Sequence, residues 1–262
     1  MSVIRIENLK KSIKGKVILE DLSFTVERGD CLALIGPNGA GKTTLMNCLL
    51  GDRKATAGII EVEGKAPGHP QLKASVSYLP QENAIVQKLT VQELISFFRS
   101  IYPNPLTVNE IDDLLRFSLE QKKQLASKLS GGQKRLLSFV LTLIGRPSLL
   151  FLDEPTAGLD PAGRKELMEL FKKLHQAGMT IVLVTHLMDD VANFADTVYV
   201  LEKGRVVKSG QPAQVFQDID FMEKIQLGVP KITKFAQELA EKGMEFAHYP
   251  ITIEEFKEMI HG

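Results

Sequence analysis

Two segments near the start of the chain alternate apolar and polar residues with a period of two. The apolar positions are Ile4, Ile6 and Leu9 in the first segment and Leu22, Phe24 and Val26 in the second. This pattern is typical of strands with one buried face. The next segment, Cys31–Ile35, is apolar throughout, as in a strand that is covered on both faces in a parallel sheet. A glycine-rich turn follows it, and a helix is predicted to begin near Lys42.

The middle third of the sequence indicates helices. Thr90 is followed three residues later by Glu93, Thr107 is followed in the same way by Glu110, and apolar residues flank both pairs. In such a capping box, the two side chains bind free backbone amides at the start of a helix. Two helices are therefore predicted to begin at these threonines.

Strands are predicted to resume at residues 149–152, 180–184, 197–201 and 205–208. Helical segments separate them, as in a βαβ sheet that a helical insertion interrupts. One crossover helix is predicted to begin after Asp160, which is suited to capping, and to end before Gly178. Beyond residue 212 the pattern is helical again, and Thr252 with Glu255 marks the start of a last helix.

Composition narrows the possible classes of protein. In 262 residues, 44% are hydrophobic and 24% are charged, which is typical of a globular chain with a sizeable core. The 32 basic and 32 acidic residues cancel, so we expect no nucleic-acid partner. The longest apolar stretch, residues 136–144, is far shorter than the roughly 20 residues of a membrane span.

The start of the chain and its cysteines indicate a protein of the cytoplasm. Residues 1–9 alternate apolar and polar positions and do not form the basic and then apolar pattern of a secretory signal. The two cysteines, Cys31 and Cys48, are too few for a disulfide framework or a metal cage. We expect both in the core.

Residues 36–43 fit the phosphate-loop pattern G-x-x-x-x-G-K-[ST]. The predicted ATP-binding residues in this region are Gly36, Pro37, Asn38, Gly39, Ala40, Gly41, Lys42, Thr43 and Thr44. The segment lies between a buried strand and a helix, where backbone amides and the helix N-terminus can surround phosphate oxygens. Lys42 would neutralise the β- and γ-phosphates, and the Thr43 hydroxyl would hold Mg²⁺. The sequence therefore predicts binding of ATP with Mg²⁺.

A second apolar run, residues 149–152, ends in Asp153 and Glu154. Two adjacent acids at the end of a buried strand are costly unless a cation or a water molecule uses them. We expect Asp153 to contact the metal and Glu154 to polarise the attacking water as general base. In the alternative interpretation, the two acids cap the following turn.

Ser130, Gly131, Gly132 and Gln133 open another helix, which continues into the long apolar run. A helix start with free amides suits an anion. Taken alone, however, this segment is more typical of an ordinary loop. Its interpretation depends on the motifs that surround it.

The order of the motifs resembles that of ABC transporter ATPases over nearly the whole chain. The matching segments are residues 36–43, Gln81 after Tyr78, Leu79 and Pro80, residues 129–133, Asp153 with Glu154, residues 157–160, and Thr185 with His186. The resemblance implies an α/β fold, in which a P-loop NTPase core with a mixed sheet carries an inserted α-helical subdomain and a short helical C-terminal extension. The expected division is 1–80 with 146–211 for the ATP-binding core, 81–145 for the helical subdomain and 212–262 for the extension.

The resemblance also implies a two-subunit ATP site, in an ATP-dependent homodimer or a heterodimer with a related ATPase. Each ATP would lie between the phosphate loop of one copy and residues 130–133, the signature segment, of the other. Gln81 would bind Mg²⁺ and report the nucleotide state, so the metal ligands would be Thr43, Gln81 and Asp153. A transmembrane permease subunit would hold the protein on the inner face of the cell membrane.

Two further roles follow from the same resemblance. Asp160 would contact the other subunit, and His186 would hold the γ-phosphate and the attacking water. Taken alone, a histidine after a strand is more typical of a structural hydrogen-bonding residue. The catalytic residues would thus be Glu154, His186 and Gln81, acting in ATP hydrolysis.

One position departs from the family pattern. Members usually carry an aromatic residue near position 13 that stacks on adenine, and this chain has Ile13. Isoleucine still offers an apolar contact to the base, so we expect weaker ATP affinity or base selectivity without loss of binding.

The two halves of the chain resemble different branches of the family. Gln81 with its neighbours and residues 89–93 resemble ATPases of drug and antibiotic-peptide exporters, whereas residues 163–168, 185–191 and 227–231 resemble energising ATPases of energy-coupling-factor vitamin importers. In the family the helical insertion grips the membrane subunit, so export is the main prediction and vitamin import is the alternative. A non-hydrolysing nucleotide-dependent regulatory module is an alternative of another class, but it would be expected to lack Glu154 or His186.

Overall fold

The computed structural model describes residues 2–82, 85–86 and 88–261. They form two compact units, the first from residues 1–68 and 182–262 and the second from residues 69–181, within the described positions. The three-part organisation expected from the sequence stays a prediction. Its helical subdomain includes positions 83, 84 and 87, which lie outside the described residues.

The strands and helices alternate along most of the chain. The strands are β1 (Ser2–Ile13), β2 (Lys16–Glu27), β3 (Cys31–Ile35), β4 (Ala57–Val62), β5 (Val76–Leu79), β6 (Leu149–Asp153), β7 (Thr180–Val184), β8 (Thr197–Glu202) and β9 (Arg205–Gly210). The helices are α1 (Lys42–Leu50), α2 (Val91–Ile101), α3 (Val108–Leu115), α4 (Leu119–Lys123), α5 (Gly131–Leu143), α6 (Pro161–Gln176), α7 (Met188–Phe194), α8 (Pro212–Phe216), α9 (Ile219–Lys224), α10 (Lys231–Glu241) and α11 (Ile253–His261). The predicted α/β fold class is confirmed.

The first unit contains an antiparallel sheet in the order β2-β1-β4. The apolar positions predicted from the period of two face one another across β1 and β2. They form the pairs Ile4–Val26, Ile6–Phe24 and Leu9–Leu22, in which every side chain is buried. Alternation in the sequence therefore set both the buried face and the register of this sheet.

The same unit also contains parallel and antiparallel pairing around β8. Strand β3 is parallel to β8, and β8 is antiparallel to β9, so the pairing is mixed as predicted. All five residues of β3 are buried, in agreement with its unbroken apolar run. Ala33 and Ile35 share a core with Val191 of α7, Phe216 of α8 and Met222 of α9. The first part of the predicted C-terminal extension thus packs on its own unit.

The second unit joins the parallel pair β5 and β6 to helices α2 to α6. Both predicted capping boxes are present, because the side chains of Thr90 and Glu93, and of Thr107 and Glu110, each bind the partner's backbone amide. Ser118 with Gln121 forms another box that begins α4. These local bonds fix where each helix begins.

The N-terminal cap of α6 matches its prediction from the sequence fully, and that of α11 matches it only in part. Asp160 caps α6 by accepting a bond from the Gly163 amide at 3.1 Å, as predicted. At α11 the Thr252 hydroxyl accepts from the Glu255 amide at 3.2 Å, but the Glu255 carboxylate accepts from the Ile251 amide at 2.7 Å. The carboxylate thus reaches one residue further back than in a standard capping box, and it also contacts His248 at 2.8 Å.

In the part of the chain described by the structure, no helix has both the length and the apolar character needed to cross a membrane.

Candidate functional site

The phosphate loop joins the end of β3 to the start of α1, as the sequence predicts. At Gly36 a Cβ atom would lie 2.3 Å from the carbonyl oxygen of Leu201, so no larger residue fits without moving the backbone. Gly41 has a φ of 106°, and a Cβ there would lie 2.7 Å from Cδ2 of Leu19. Glycine at these positions lets the loop turn tightly into α1, whose first backbone amides then face the loop.

The side chain of Lys42 binds backbone carbonyls of the phosphate loop. Its ammonium group donates to the Gly36 carbonyl, and also to the Pro37 carbonyl at 3.2 Å. Of the other predicted ATP-binding residues in the loop, Asn38, Gly39 and Thr43 are exposed and Ala40 is buried. A cation beside a glycine loop and a helix N-terminus has the donors that a polyphosphate needs, so these residues fit the phosphates of ATP.

Asp153 is the last residue of strand β6, and Glu154 begins the turn that follows it. The Asp153 side chain is buried, and the Tyr78 hydroxyl donates to its Oδ2 at 3.3 Å. Glu154 is half-buried and has a φ of 45°, which is uncommon for a residue other than glycine. The two adjacent acids therefore differ in burial, and Glu154 lies in an unusual backbone conformation.

Arg135 connects this turn to the segment that contains Gln81. It lies on α5, is 1% exposed, and donates to five backbone carbonyls: Pro155 at 2.7 Å, Pro80 at 2.6 Å, Gln81 at 3.2 Å, Asp153 at 3.2 Å and Glu154 at 3.1 Å. Burial lowers the pKa of Arg135 to about 10, and the nearby Asp153 and Tyr78 oppose that fall. This residue was not predicted from the sequence. The available signal was an arginine at the edge of the apolar run, residues 136–144.

The signature segment begins α5 with a capping box that was likewise not predicted. The Ser130 hydroxyl accepts from the Gln133 amide at 3.2 Å, and the Gln133 side chain accepts from the Ser130 amide at 3.0 Å. Ser-x-x-Gln is a known form of this motif. The bond uses an oxygen lone pair of Ser130, so its hydroxyl proton can still be donated to a ligand.

Gly131 and Gly132 occupy the first two positions of α5. A Cβ at Gly131 would meet no atom within 4 Å in the described part of the chain, and one at Gly132 would meet only Leu159 at 3.8 Å. Contacts within the described chain therefore do not require glycine at either position. This leaves room for close approach by a molecule from outside the chain.

The two units divide the predicted site residues between them. Ile13, residues 36–44 and His186 belong to the first unit, and Gln81, residues 130–133, Asp153, Glu154 and Asp160 belong to the second. In the second unit, Arg135 brings together the backbones of Gln81, Asp153 and Glu154. The roles assigned to these residues stay predictions.

His186 and Asp160 also have identifiable local surroundings. The buried Thr185 hydroxyl accepts from the Leu187 amide at 3.1 Å, and His186 lies exposed on the turn between them. Asp160 is exposed and caps α6. Its structural role as a cap is compatible with a contact to another subunit, since a carboxylate can accept several hydrogen bonds.

The magnesium site predicted from the sequence has few protein ligands. Among the described residues, no three His, Cys, Asp or Glu side chains cluster as a metal site. The predicted ligands Thr43, Gln81 and Asp153 include one carboxylate. This donor set suits Mg²⁺, which commonly binds one or two carboxylates together with substrate phosphates and water.

Comparison with known proteins identifies the family. Residues 19–157 match the family described as ABC transporter. The chain belongs to the ABC transporter family. As an ABC transporter ATP-binding subunit it is an ATPase, so the predicted enzyme class and the predicted family are confirmed.

Two sequence relatives extend the match along nearly the whole chain. The energy-coupling factor transporter ATP-binding protein EcfA2 of Streptococcus sanguinis strain SK36 is 50% identical over 254 residues, covering 92% of this chain and 91% of the relative. EcfA2 of Streptococcus pneumoniae strain D39 is 45% identical over 263 residues, covering 93% of this chain and 92% of the relative. These matches favour the importer alternative over the main prediction of export.

Solved structures of ABC ATPases share the fold. The structure of cbiO1 from Clostridium perfringens has a TM-score of 0.74 and 28% identity, covering 91% of this chain and 99% of that chain. It is described as part of the ABC transporter complex cbiONQ, which agrees with the predicted assembly with other transporter subunits. The ADP conformation of MJ1267, an ABC transporter ATP-binding cassette, has a TM-score of 0.74 and 26% identity, covering 86% and 97% of the two chains.

Proposed function

We propose that this chain is an energising ATPase subunit of an energy-coupling-factor importer for a vitamin or similar small nutrient. The observation that carries the proposal is 50% identity to a streptococcal EcfA2 over 92% of the chain. A match of that length includes both halves of the sequence. The exporter-like features of the first half, Gln81 with its neighbours and residues 89–93, thus occur in a chain whose relatives are named as energy-coupling-factor proteins.

Each of the predicted site residues would have its own role in ATP binding and hydrolysis. Lys42 and the loop amides would bind the phosphates, while Thr43, Gln81 and Asp153 would hold Mg²⁺. The metal, when bound, would neutralise charge that develops on the phosphate oxygens. Glu154 would accept the proton of the attacking water, and His186 would orient that water and the γ-phosphate.

The signature segment would complete the site of a second subunit. Ser130 retains a hydroxyl proton for donation, and Gly131 allows close approach from outside the chain. The N-terminus of α5 adds a partial positive charge that favours a phosphate. These features support a homodimer, or a heterodimer with a related ATPase, as the form that hydrolyses ATP.

The membrane location would come from a partner. We propose peripheral attachment to the inner face of the cell membrane through a transmembrane permease subunit. This fits the finding that, over the described residues, no helix could itself span the membrane.

Direction of transport tests the proposal. The tagged chain would be purified from its native membranes in mild detergent, and the co-purified complex would be reconstituted into vesicles with the ATPase facing outward. We expect a transmembrane subunit in the complex and ATP-driven movement of substrate from the lumen toward the ATPase side. Movement away from the ATPase side would support the exporter instead, and isolation of the chain without any membrane protein would contradict both.

A further inference from the structure

We infer that Arg135 is a positioning residue that couples the signature helix α5 to both catalytic segments of its own subunit. The inference rests on the proposed function, because it assumes that Gln81 and Glu154 act on ATP and that Ser130 contacts ATP of the other subunit. It adds a route by which the signature segment affects catalysis in its own subunit.

The side chain of Arg135 donates hydrogen bonds to backbone carbonyls in two separate segments. A guanidinium carries five N–H groups in a rigid plane, and Arg135 donates to five carbonyl oxygens. Two of these belong to Pro80 and Gln81, which follow β5, and three belong to residues 153–155, at the end of β6. One rigid group therefore bridges the two segments just beyond Leu79 and Leu152, the last paired residues of β5 and β6.

Packing alone does not explain a charge at this position. Arg135 is 1% exposed, and its pKa of about 10 keeps it cationic at neutral pH. A buried charge is usually no better for stability than an apolar side chain of similar size. Hydrogen bonds from Arg135 reach the backbone oxygens of Gln81 and Glu154, so the side chain fixes main-chain positions in the turn of Glu154 and in the segment of Gln81.

The position of Arg135 on α5 makes it a link between sites. It lies five residues after Ser130, which is roughly 7 Å along a helix axis. Because a helix moves as a rigid body over that distance, a shift of its N-terminus on contact with ATP would move the guanidinium. The carbonyls of Gln81 and Glu154 would move with it.

Substitution of Arg135 should therefore affect turnover more than ATP binding. The phosphate loop with Lys42 belongs to the first unit, whereas Arg135 and the five carbonyls that it binds belong to the second. A displacement of the catalytic groups by about 1 Å can cost on the order of a hundredfold in rate. The expected signature is a lower kcat with a nearly unchanged KM for ATP.

The test compares Arg135→Lys and Arg135→Met in the full-length chain, assembled with the transporter subunits that co-purify with it. Lysine keeps the charge but has only three donors, and methionine keeps similar length without any donor. Arg146→Met is the matched control, because Arg146 lies on the surface and pairs with Glu110 at 2.6 Å. Thermal unfolding is followed for every variant.

We expect kcat to fall about ten- to a hundredfold in both Arg135 variants, with KM for ATP within about threefold of wild type. In the Glu154→Gln background, Arg135→Lys should still form the ATP-dependent dimer. Arg146→Met should keep kcat within about twofold, since surface ion pairs contribute little.

Three outcomes would overturn the inference. The first is a wild-type kcat in folded Arg135→Lys, and the second is loss of folding in both variants, which would make the role structural. The third is an equal loss of ATP binding and turnover. An assembly whose wild-type form does not hydrolyse ATP would instead contradict the proposed function, and the inference would fall with it.

Discussion

The side chain of Arg135 and the main chain of Glu154 are in direct contact, with Nη2 of Arg135 3.1 Å from the Glu154 carbonyl oxygen. Glu154 adopts a φ of 45° at this point. Non-glycine residues in this region are strained and persist only where their surroundings hold them, and such strain is often found at functional sites. A buried arginine on the signature helix thus helps to define the conformation of the proposed general base.

Replacement of Lys42 by alanine should abolish most nucleotide binding without unfolding the chain. The lysine ammonium group binds two carbonyls of its own loop, those of Gly36 and Pro37. A lost charge-assisted bond to phosphate predicts at least about tenfold weaker binding. Titration with a fluorescent ATP analogue measures the change, and Lys224→Ala, at an exposed site in the same unit, is the control. Unaltered affinity in Lys42→Ala would place ATP elsewhere.

Gly131→Ala should leave the stability of the fold intact and weaken ATP-dependent dimerisation. The added methyl group meets nothing within 4 Å in the described chain, and alanine favours a helix by up to about 1 kcal/mol over glycine. The thermal midpoint should therefore stay the same or rise. ATP-dependent dimerisation, measured by size-exclusion chromatography in the Glu154→Gln background, should weaken because the methyl group obstructs the second subunit's ATP.

The control for Gly131→Ala is Gly228→Ala. A Cβ at Gly228 would also meet no atom within 4 Å in the described chain, but this glycine lies in the C-terminal region of the first unit. The control should dimerise as wild type does. Full dimerisation of Gly131→Ala would argue that this position does not approach ATP.

Ile13→Tyr should tighten ATP binding. Ile13 is half-buried at the end of β1, where family members usually place an aromatic residue against adenine. Stacking adds about 0.5–1.5 kcal/mol, which corresponds to roughly two- to tenfold in affinity. Calorimetric titration with ATP and GTP tests both affinity and base preference. Val17→Tyr, an exposed position on the neighbouring strand, controls for a general effect of an added ring, and equal gains in the two variants would refute base stacking.

The Glu110 carboxylate should make the stability of the fold depend on pH in the acid range. Its pKa is lowered from 4.5 to about 2, first by the Thr107 amide and then by Arg146. A lowered folded pKa means that the carboxylate stabilises the fold above about pH 4.5 and that this contribution is lost as pH falls toward 2. Glu110→Gln should therefore lower the urea midpoint at neutral pH, and the difference from wild type should disappear near the lower end of that range.

The effect of Glu110 should be small, because the ion pair with Arg146 is exposed. Glu120→Gln makes the same change at an exposed position on α4 and serves as the control. A difference between wild type and Glu110→Gln that grew as pH fell would contradict the assigned sign.

Features that depend on neighbouring residues were predictable from the sequence. The caps at Thr107 and Asp160, the buried strand Cys31–Ile35 and the phosphate loop all follow from patterns within a few positions. The alternation of β1 and β2 also gave the buried positions Ile6 and Phe24, because a period of two fixes the buried face.

Features that depend on distant contacts were not predictable in the same way. Arg135 is buried because carbonyls from two other segments converge on it, and no local pattern around residue 135 contains those partners. At α11, a standard box was expected, but Glu255 binds the Ile251 amide and His248. This second deviation is local, because His248 and Ile251 lie only seven and four residues before Glu255 and both compete for its carboxylate.

Steady-state ATP hydrolysis by Glu154→Gln tests the central claim most directly. Glutamine keeps the size of the side chain but cannot accept a proton from water, so turnover should fall by about a hundredfold or more. ATP should still bind, and the ATP-bound dimer should accumulate. Hydrolysis by Glu154→Gln at the wild-type rate would contradict the assignment of Glu154 as general base and the two-subunit mechanism built on it.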